Sequence, residues 1–352
     1  MRGLAAISGV EMELPQMILD NNQLAAEFKN WTAEKILAKT GIRTRHIARP
    51  DECASDLAVG AAKKLLARNS CPREKIDYLI YCTQSPDYLL PSTACLIQER
   101  LELSNTCAAL DFNLGCSGYI YGLGLAKALI ESRQANEVLF LTADTYSKFI
   151  NPKDQSVRTL FGDAGTATLI RAGAGPGKLA GPFVYGTDGR GKNNLIVPTR
   201  GSKQEFVNGA ELFADEAGNG RTVNDLFMNG PEIFSFSLKV VPDTVSRLLE
   251  AAEVTLDQID LFVFHQANLF MLEHLRKKLA IPRERFCIDM EDVGNTVSCT
   301  IPITLSRMIA AKKIKPGALV MLVGFGVGYS WGATLMRWES EPSDGELGKS
   351  SS

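Results

Sequence analysis

Histidine is scarce in this chain, with 3 in 352 residues, and none of its 8 cysteines falls in a C-x-x-C spacing. Those two shortages argue against zinc frameworks and dithiol redox motifs, so no metal site is expected. An excess of one charge is also missing, since 38 Lys and Arg against 40 Asp and Glu leave a formal net charge of −2. Without a global basic field, nothing points to nucleic acid. No apolar run approaches the roughly 20 residues of a membrane-spanning helix, so no membrane partner is expected. The opening Met-Arg-Gly-Leu-Ala-Ala-Ile-Ser-Gly-Val is too short for a signal peptide and reads as a first strand. Several cysteines (Cys82, Cys95, Cys107) lie in apolar, strand-like runs. That placement predicts reduced thiols in a cytoplasmic protein rather than a disulfide framework.

What is present is the balance of a soluble globular protein, 45% hydrophobic and 22% charged, long enough for one large domain or two ordinary ones. Strand-like runs alternate with helical ones throughout, which predicts an α/β class. Residues 21–40 read as helical, 40–47 as a basic loop and 54–69 as an amphipathic helix. A buried strand at 76–83 is followed by a Pro-containing loop over 85–92, a helix at 93–101 and the end of a buried strand at Asp111. Helix 117–132, strand 138–143 and a turn and strand over 161–171 complete this half, and 172–177 reads as a boundary.

The second half repeats the first. Lys75-Ile-Asp-Tyr-Leu-Ile-Tyr81 is echoed by Gln258-Ile-Asp-Leu-Phe-Val-Phe264, and Val138-Leu-Phe-Leu141 by Leu319-Val-Met-Leu322. Gly165-Thr-Ala-Thr-Leu-Ile-Arg171 is echoed by Trp331-Gly-Ala-Thr-Leu-Met-Arg337. Because the echoes fall in the same order, an internal duplication is expected: halves 1–173 and 174–338, packed as one body with helices between their sheets. Two segments break the pattern. The polar, Gly-rich stretch 199–227 reads as an excursion or lid, and 339–352 as a disordered tail.

Asp111-Phe-Asn-Leu-Gly-Cys116-Ser-Gly joins the end of a strand to the start of a helix. A thiol at that join meets unpaired N–H groups and the helix dipole, which favour the thiolate and suit a nucleophile. His46, in an Arg-rich loop, and His274, beside Arg276, Lys277 and Lys278, read as surface residues. His265 ends the apolar run Leu261-Phe-Val-Phe, where a histidine is either a satisfied core group or a functional one. Asn295 follows a strand-like run at 285–290 within Gly-Asn, itself an ordinary turn signal. The duplication puts all three at strand-end loops, where ligands of open α/β sheets gather. Gly324-Phe-Gly-Val-Gly-Tyr-Ser-Trp-Gly332 lacks the lysine of a P-loop, and would instead bring backbone N–H groups to a developing oxyanion.

Together these segments, with Thr40-Gly-Ile-Arg-Thr-Arg-His46, Phe161-Gly-Asp-Ala-Gly165 and Lys315-Pro-Gly317, resemble the signatures of β-ketoacyl-acyl-carrier-protein synthase III of the thiolase superfamily, over about residues 3–338. The resemblance implies a five-layered αβαβα thiolase-like fold from two duplicated halves, and a homodimer. It further implies that Cys116 takes an acyl group from acyl-CoA or acyl-carrier protein. His265 and Asn295 would then stabilise the enolate formed when malonyl-acyl-carrier protein loses carbon dioxide. The backbone N–H groups of Cys116 and Val327 would form the oxyanion hole. Leu90, Asn268, Lys39 and Phe161 fall at substrate-binding positions, and Lys277 and Lys278 at a carrier-docking patch. No cofactor is expected, because the coenzyme A and phosphopantetheine thioesters are substrates.

The match fails at the entrance. Where the family commonly has Trp four residues before the basic residue of its Arg-Thr-Gly-Ile-Arg motif, this chain has Lys35 ahead of Lys39. An adenine-clamping Arg is Gln155, and an Arg associated with carrier docking is Phe270. The residue that closes the partner subunit's acyl pocket, often Phe, is Leu90, which implies a deeper pocket and a primer longer or bulkier than acetyl. A synthase III-like condensing enzyme of specialised metabolism, of polyketide or quinolone type, is the alternative. A degradative thiolase lacks support because 324–332 holds no second cysteine, and an elongating ketosynthase because Asn295 stands where a second His is required.

Overall fold

Short apolar runs bounded by turn residues make the strands, and runs of small residues make the helix that lies between the sheets. A computed structural model describes residues 4–28, 31–173 and 175–339. In chain order the first half holds β1 (Ala5–Glu13), β2 (Met17–Asp20), α1 (Asn21–Glu27), α2 (Ala33–Thr40), β3 (Thr44–Ile47), α3 (Ala54–Arg68) and β4 (Tyr78–Cys82). It continues through α4 (Thr93–Arg100), β5 (Ala108–Phe112), α5 (Gly118–Glu131), β6 (Glu137–Asp144), α6 (Gln155–Arg158) and β7 (Ala164–Ala172). The second half opens with β8 (Gly177–Lys178), β9 (Phe183–Thr187), β10 (Leu195–Ile196), β11 (Phe213–Ala214), β12 (Gly220–Arg221) and β13 (Phe227–Met228). After these come α7 (Gly230–Ala252), β14 (Leu261–Phe264), α8 (Leu269–Lys278), α9 (Thr300–Ala310), β15 (Leu319–Gly326) and β16 (Ser330–Trp338).

The duplication is visible in strand order and direction. The first sheet runs β5-β4-β6-β7-β1, parallel across its first two pairs and antiparallel across the last two. The second runs from a single parallel bridge at Phe286 through β14, β15 and β16 to β9, with the same sequence of directions. Each echoed segment therefore occupies the same place in its own sheet. β8 pairs with both β1 and β16 and links the two sheets along one edge. Helices α5 and α9 lie between the sheets, α3 and α4 cover the first from outside, and α7 covers the second with α8 packed beside it.

A helix fits between two sheets only if its surface is thin. On α5, a Cβ at Gly122 would stand 2.0 Å from the Phe140 ring, and one at Gly118 would stand 2.3 Å from the Cys82 sulfur. Glycine at these positions lets α5 settle on β4 and β6, and Tyr119 stacks on Phe140 at 5.5 Å.

Several expectations are corrected. Residues 21–40 form two helices, because Thr32 caps a new helix start with its side chain on the Lys35 N–H at 3.2 Å. The stretch 40–47 is a turn and a strand rather than a basic loop. Arg45 within it is fully buried, its guanidinium donating to Leu19 O, Asn21 Oδ1 and Thr159 O. His46 is half-buried rather than a surface residue, with Nδ1 2.6 Å from Pro15 O. Cys95 is exposed on α4, not in a strand. β5 is the outer strand of its sheet and only partly covered, so the strand leading to Cys116 is not a buried one.

The strand-like run at 285–290 makes one bridge only. The Gln266 side chain takes the backbone groups a neighbouring strand would otherwise pair, accepting from the Asp289 N–H and donating to Cys287 O. The excursion over 199–227 holds the small pair β11/β12, and the pair β10/β13 closes its base. It is pinned down by Arg221, which reaches Asp154 at 3.3 Å and Asp215 at 3.4 Å, with the Phe213 and Phe227 rings alongside. The expected tail lies outside the described residues, Glu339 apart. No helix among the described residues is long and apolar enough to cross a membrane.

Gly122→Ala tests the thin-helix constraint. The substitution gains up to about 1 kcal/mol of helix propensity and loses about 1–3 kcal/mol to overpacking against Phe140. A net fall of a few degrees in Tm is expected by calorimetry, with no fall for Gly189→Ala, where nothing lies within 4 Å. A Tm unchanged at Gly122 would remove the constraint.

Candidate active site

Loops from both halves converge on Cys116. The chain leaves β5, and the Gly118 N–H closes a turn on Gly115 O at 2.8 Å, setting the start of α5 directly after the cysteine. Ser117 Oγ lies 2.6 Å from Ser330 Oγ, which ties this helix start to β16. Opposite, a Cβ at Gly326 would stand 2.8 Å from the Cys116 sulfur, and one at Gly324 would stand 2.9 Å from Cys116 O. The glycine run thus lies against the Cys116 backbone, and the Val327 N–H and Cys116's own N–H both face the Cys116 sulfur.

His265 extends β14, its backbone N–H on Val323 O at 2.8 Å, and its ring meets Phe325 edge-on at 5.6 Å. Its Nδ1 lies 2.7 Å from Thr300 Oγ1. Asn295 belongs to the second half but is held by the first: its N–H donates to Leu160 O at 2.9 Å, and its carbonyl accepts from the Gly162 N–H at 3.1 Å. Asn295 Oδ1 accepts from the Val297 N–H at 3.0 Å, which fixes the amide's orientation and leaves the NH2 uncommitted. Gly294 is required at its own place, with φ +73° and room for a Cβ only 2.8 Å from Leu160 O.

One narrow cleft is lined by Cys116, His265, Asn295, Phe161 and Asn268. Apolar side chains including Leu160, Met228, Ile233 and Phe325 complete it. Asn268 carries a structural duty too, capping α8 through Oδ1 on the Met271 N–H at 2.8 Å. Lys39, Lys277 and Lys278 are exposed and do not line the cleft, and neither does Leu90, which is 83% exposed in the loop after β4. Phe270 is also exposed, within an aromatic cluster with Phe234 and His274. A tryptophan does stand close by, just ahead of the Thr32 cap of α2: the Trp31 ring lies 5.4 Å from Lys35 Nζ and 4.8 Å from Lys39 Nζ. Their four-residue spacing was the signal in the sequence. Among the described residues no group of three His, Cys, Asp or Glu side chains is placed to hold a metal ion.

Burial dominates the electrostatics. It pushes the Cys116 thiol up to about 12, with the Asp144 carboxylate adding to the effect and the two backbone N–H groups opposing it. The thiolate expected at a helix start is therefore not the resting form. Burial also pushes His265 down to about 3, so the resting imidazole is neutral. Asp144, fully buried at the end of β6, is pushed up to about 7 by the same cause, although it accepts from Gln84 N–H, Ser298 N–H and the Ser298 hydroxyl. Asp144, Ser298 and Thr300 carry no local sequence signal, because only the packing of one half on the other brings them to the site.

A family model described as 3-Oxoacyl-[acyl-carrier-protein (ACP)] synthase III matches residues 110–189, and its C-terminal counterpart matches 249–338. The chain is 37% identical over 333 residues to the beta-ketoacyl-[acyl-carrier-protein] synthase III of Syntrophomonas wolfei, covering 94% of this chain and 97% of the relative. A solved 3-oxoacyl-(acyl-carrier-protein) synthase III superposes with a TM-score of 0.93 at 50% identity, covering 95% of this chain and all of that one. The 3-oxoacyl-(acyl-carrier protein) synthase of Burkholderia xenovorans LB400 superposes at 0.87 with 38% identity, covering 96% and 95%.

Iodoacetamide labelling distinguishes a resting thiol from a resting thiolate. The rate at Cys116, read by peptide mass spectrometry, should rise about tenfold per pH unit from pH 7 to pH 10 without levelling, because only the ionised fraction reacts. A plateau near neutral pH would mean a preformed thiolate.

Proposed function

This chain belongs to the 3-oxoacyl-[acyl-carrier-protein] synthase III family of condensing acyltransferases, and from that premise we propose the following division of labour among its residues. Cys116 sulfur attacks an acyl thioester carried by coenzyme A or acyl-carrier protein. The N–H groups of Cys116 and Val327 hold the tetrahedral oxyanion, and the carrier thiolate leaves. Malonyl-acyl-carrier protein then enters and loses carbon dioxide. The electron pair of the broken C–C bond becomes an enolate, whose oxygen accepts hydrogen bonds from His265 and the Asn295 NH2. The carbanion attacks the acyl-enzyme, the C–S bond to Cys116 breaks, and a 3-oxoacyl product leaves on the carrier. Since the C–C bond supplies the electrons, the sequence balances without a redox or metal cofactor.

The observation that carries this reading is the convergence of Cys116, His265 and Asn295 on one buried cleft, with two backbone N–H groups on the cysteine sulfur. Lys39 with Trp31 would guide the carrier's phosphate-bearing arm, Asn268 and Phe161 would contact its end, and Lys277 and Lys278 would meet an acidic carrier protein. A homodimer is supported by the uncovered outer strand β5 and by Tyr88, Leu89 and Leu90, which are 62%, 85% and 83% exposed. In that dimer Leu90 would close the partner's acyl pocket. A cytoplasmic location fits its free cysteines and its carrier substrates. The specialised-metabolism alternative has less support, since relatives of 35–50% identity are synthases of the same type as the family, whereas a polyketide-pathway ketosynthase is 26% identical.

Intact-protein mass spectrometry after exposure to acyl thioesters should show one acyl group on the wild-type chain and none on Cys116→Ser. Asn295→Ala should keep that acyl group yet form 3-oxoacyl product at least about 100-fold more slowly, the order of effect for one lost oxyanion-type donor. Failure of the wild type to acylate would overturn the assignment. The pocket and dimer are tested together: sedimentation should give twice the chain's 38.3 kDa, and kcat/KM should be higher for a longer or branched donor than for acetyl. A monomer, or a preference for acetyl, would remove the proposed role of Leu90.

A further inference from the structure

In the reading above His265 hydrogen-bonds substrate through one ring nitrogen, and a neutral imidazole carries a proton on only one of its two. Which one is decided by what the other nitrogen meets. Nδ1 meets the Thr300 hydroxyl at 2.7 Å, and that hydroxyl donates its single proton to Val297 O at 3.2 Å, a carbonyl that also accepts from the His265 ring. With its proton committed there, Thr300 Oγ1 offers only lone pairs to the ring. Nδ1 must then be the protonated nitrogen and Nε2 the bare one.

We propose that Thr300 is the positioning residue that sets the tautomer of His265, holding Nδ1–H and leaving Nε2 as the proton acceptor for Cys116 during acyl loading.

The surroundings leave little freedom to do otherwise. His265, Thr300 and Val297 are 2%, 3% and 0% exposed, so bulk water does not compete for these bonds. Val297 sits in the left-handed region at φ +56°, a conformation a β-branched residue adopts only under constraint, and it is part of the short turn leading to Thr300. Thr304 takes the Thr300 carbonyl at 3.0 Å and so does not compete for its side chain.

The proton is accounted for through the cycle. As Cys116 attacks, the S–H bond breaks and its proton goes to Nε2, while the C–S bond to the carrier breaks and the carrier thiolate takes a proton from solvent. Nε2–H then faces the cleft as the donor that the malonyl thioester carbonyl requires. When condensation frees the Cys116 thiolate, Nε2 returns the proton to it, and Nδ1–H stays on Thr300 throughout. This inference rests on the functional reading above, but its main readout does not depend on activity.

With 3 histidines in the chain, ring 15N spectra of histidine-labelled protein are tractable, and His265→Gln assigns the signal. The free enzyme should show an N–H type Nδ1 and a bare, pyridine-type Nε2 at His265. Thr300→Val should blur that preference and slow acyl loading of Cys116 at least tenfold with little change in KM for the donor. Thr300→Ser, which keeps the hydroxyl, should restore both. The opposite tautomer in the wild type would overturn the inference even if the enzyme condenses normally. So would Thr300→Val with unchanged spectrum and loading rate. If Thr300→Val does not fold, the wild-type spectrum and Thr300→Ser still decide. A wild type with the expected tautomer but no acylation would instead overturn the functional reading.

Discussion

The closeness of two backbones on either side of one sulfur governs this molecule. Gly324 and Gly326 let the end of β15 lie against Cys116 and Ser117, where a single added carbon would collide. That contact joins the Cys116 loop, from the first half, to the glycine run of the second. It also delivers the Val327 N–H to the sulfur. The same thinness recurs along α5, where Gly118 and Gly122 give up side-chain contacts so that the helix can be covered on both faces. The helix thereby forgoes propensity, since glycine is among the poorer helix formers, and gains burial on two sheets at once.

The site itself is stitched across the halves by backbone rather than by charge. Asn295 bonds to Leu160 and Gly162, and Ser298 bonds to Asp144, so both sides of the cleft share fixed hydrogen bonds. The groups inside are neutral at rest. Cys116 keeps its proton and His265 lacks one, because burial penalises the charged form of each. Charge then arises only as a reaction proceeds, in a buried cleft where preorganised N–H groups act with little screening. Arg45 shows the same economy elsewhere: a buried guanidinium without an ion-pair partner among the described residues, held by two carbonyls and an amide oxygen.

Much of the plan was legible in one dimension. The α/β alternation, the duplicated strands and the positions of Cys116, His265 and Asn295 follow from apolar periodicity and repeated short segments, and these survive because each strand must bury the same kind of face in both halves. The reading failed where a side chain replaced a backbone partner or where packing reversed an exposure. Gln266 turned an expected strand at 285–290 into one bridge. Arg45 went inside a stretch that reads as a basic loop. The expected thiolate at Cys116 became a thiol, because the dipole of a helix start is a local property and desolvation is not.

The sequence by itself determined the order and kind of most elements, the duplication, and which three side chains are candidates for the chemistry, since those depend on residue type and spacing along the chain. Only the tertiary structure decided the protonation of Cys116 and His265, the hydroxyl on which His265 rests and the tethering of Asn295 to the opposite half. That Trp31 stands beside Lys39 depends on where α2 begins, since Trp31 precedes its Thr32 cap. The physical reason is range. Patterning acts between residues a few positions apart, whereas desolvation and hydrogen-bond satisfaction depend on groups such as Thr300 and Asp144 that meet their partners only after the halves close.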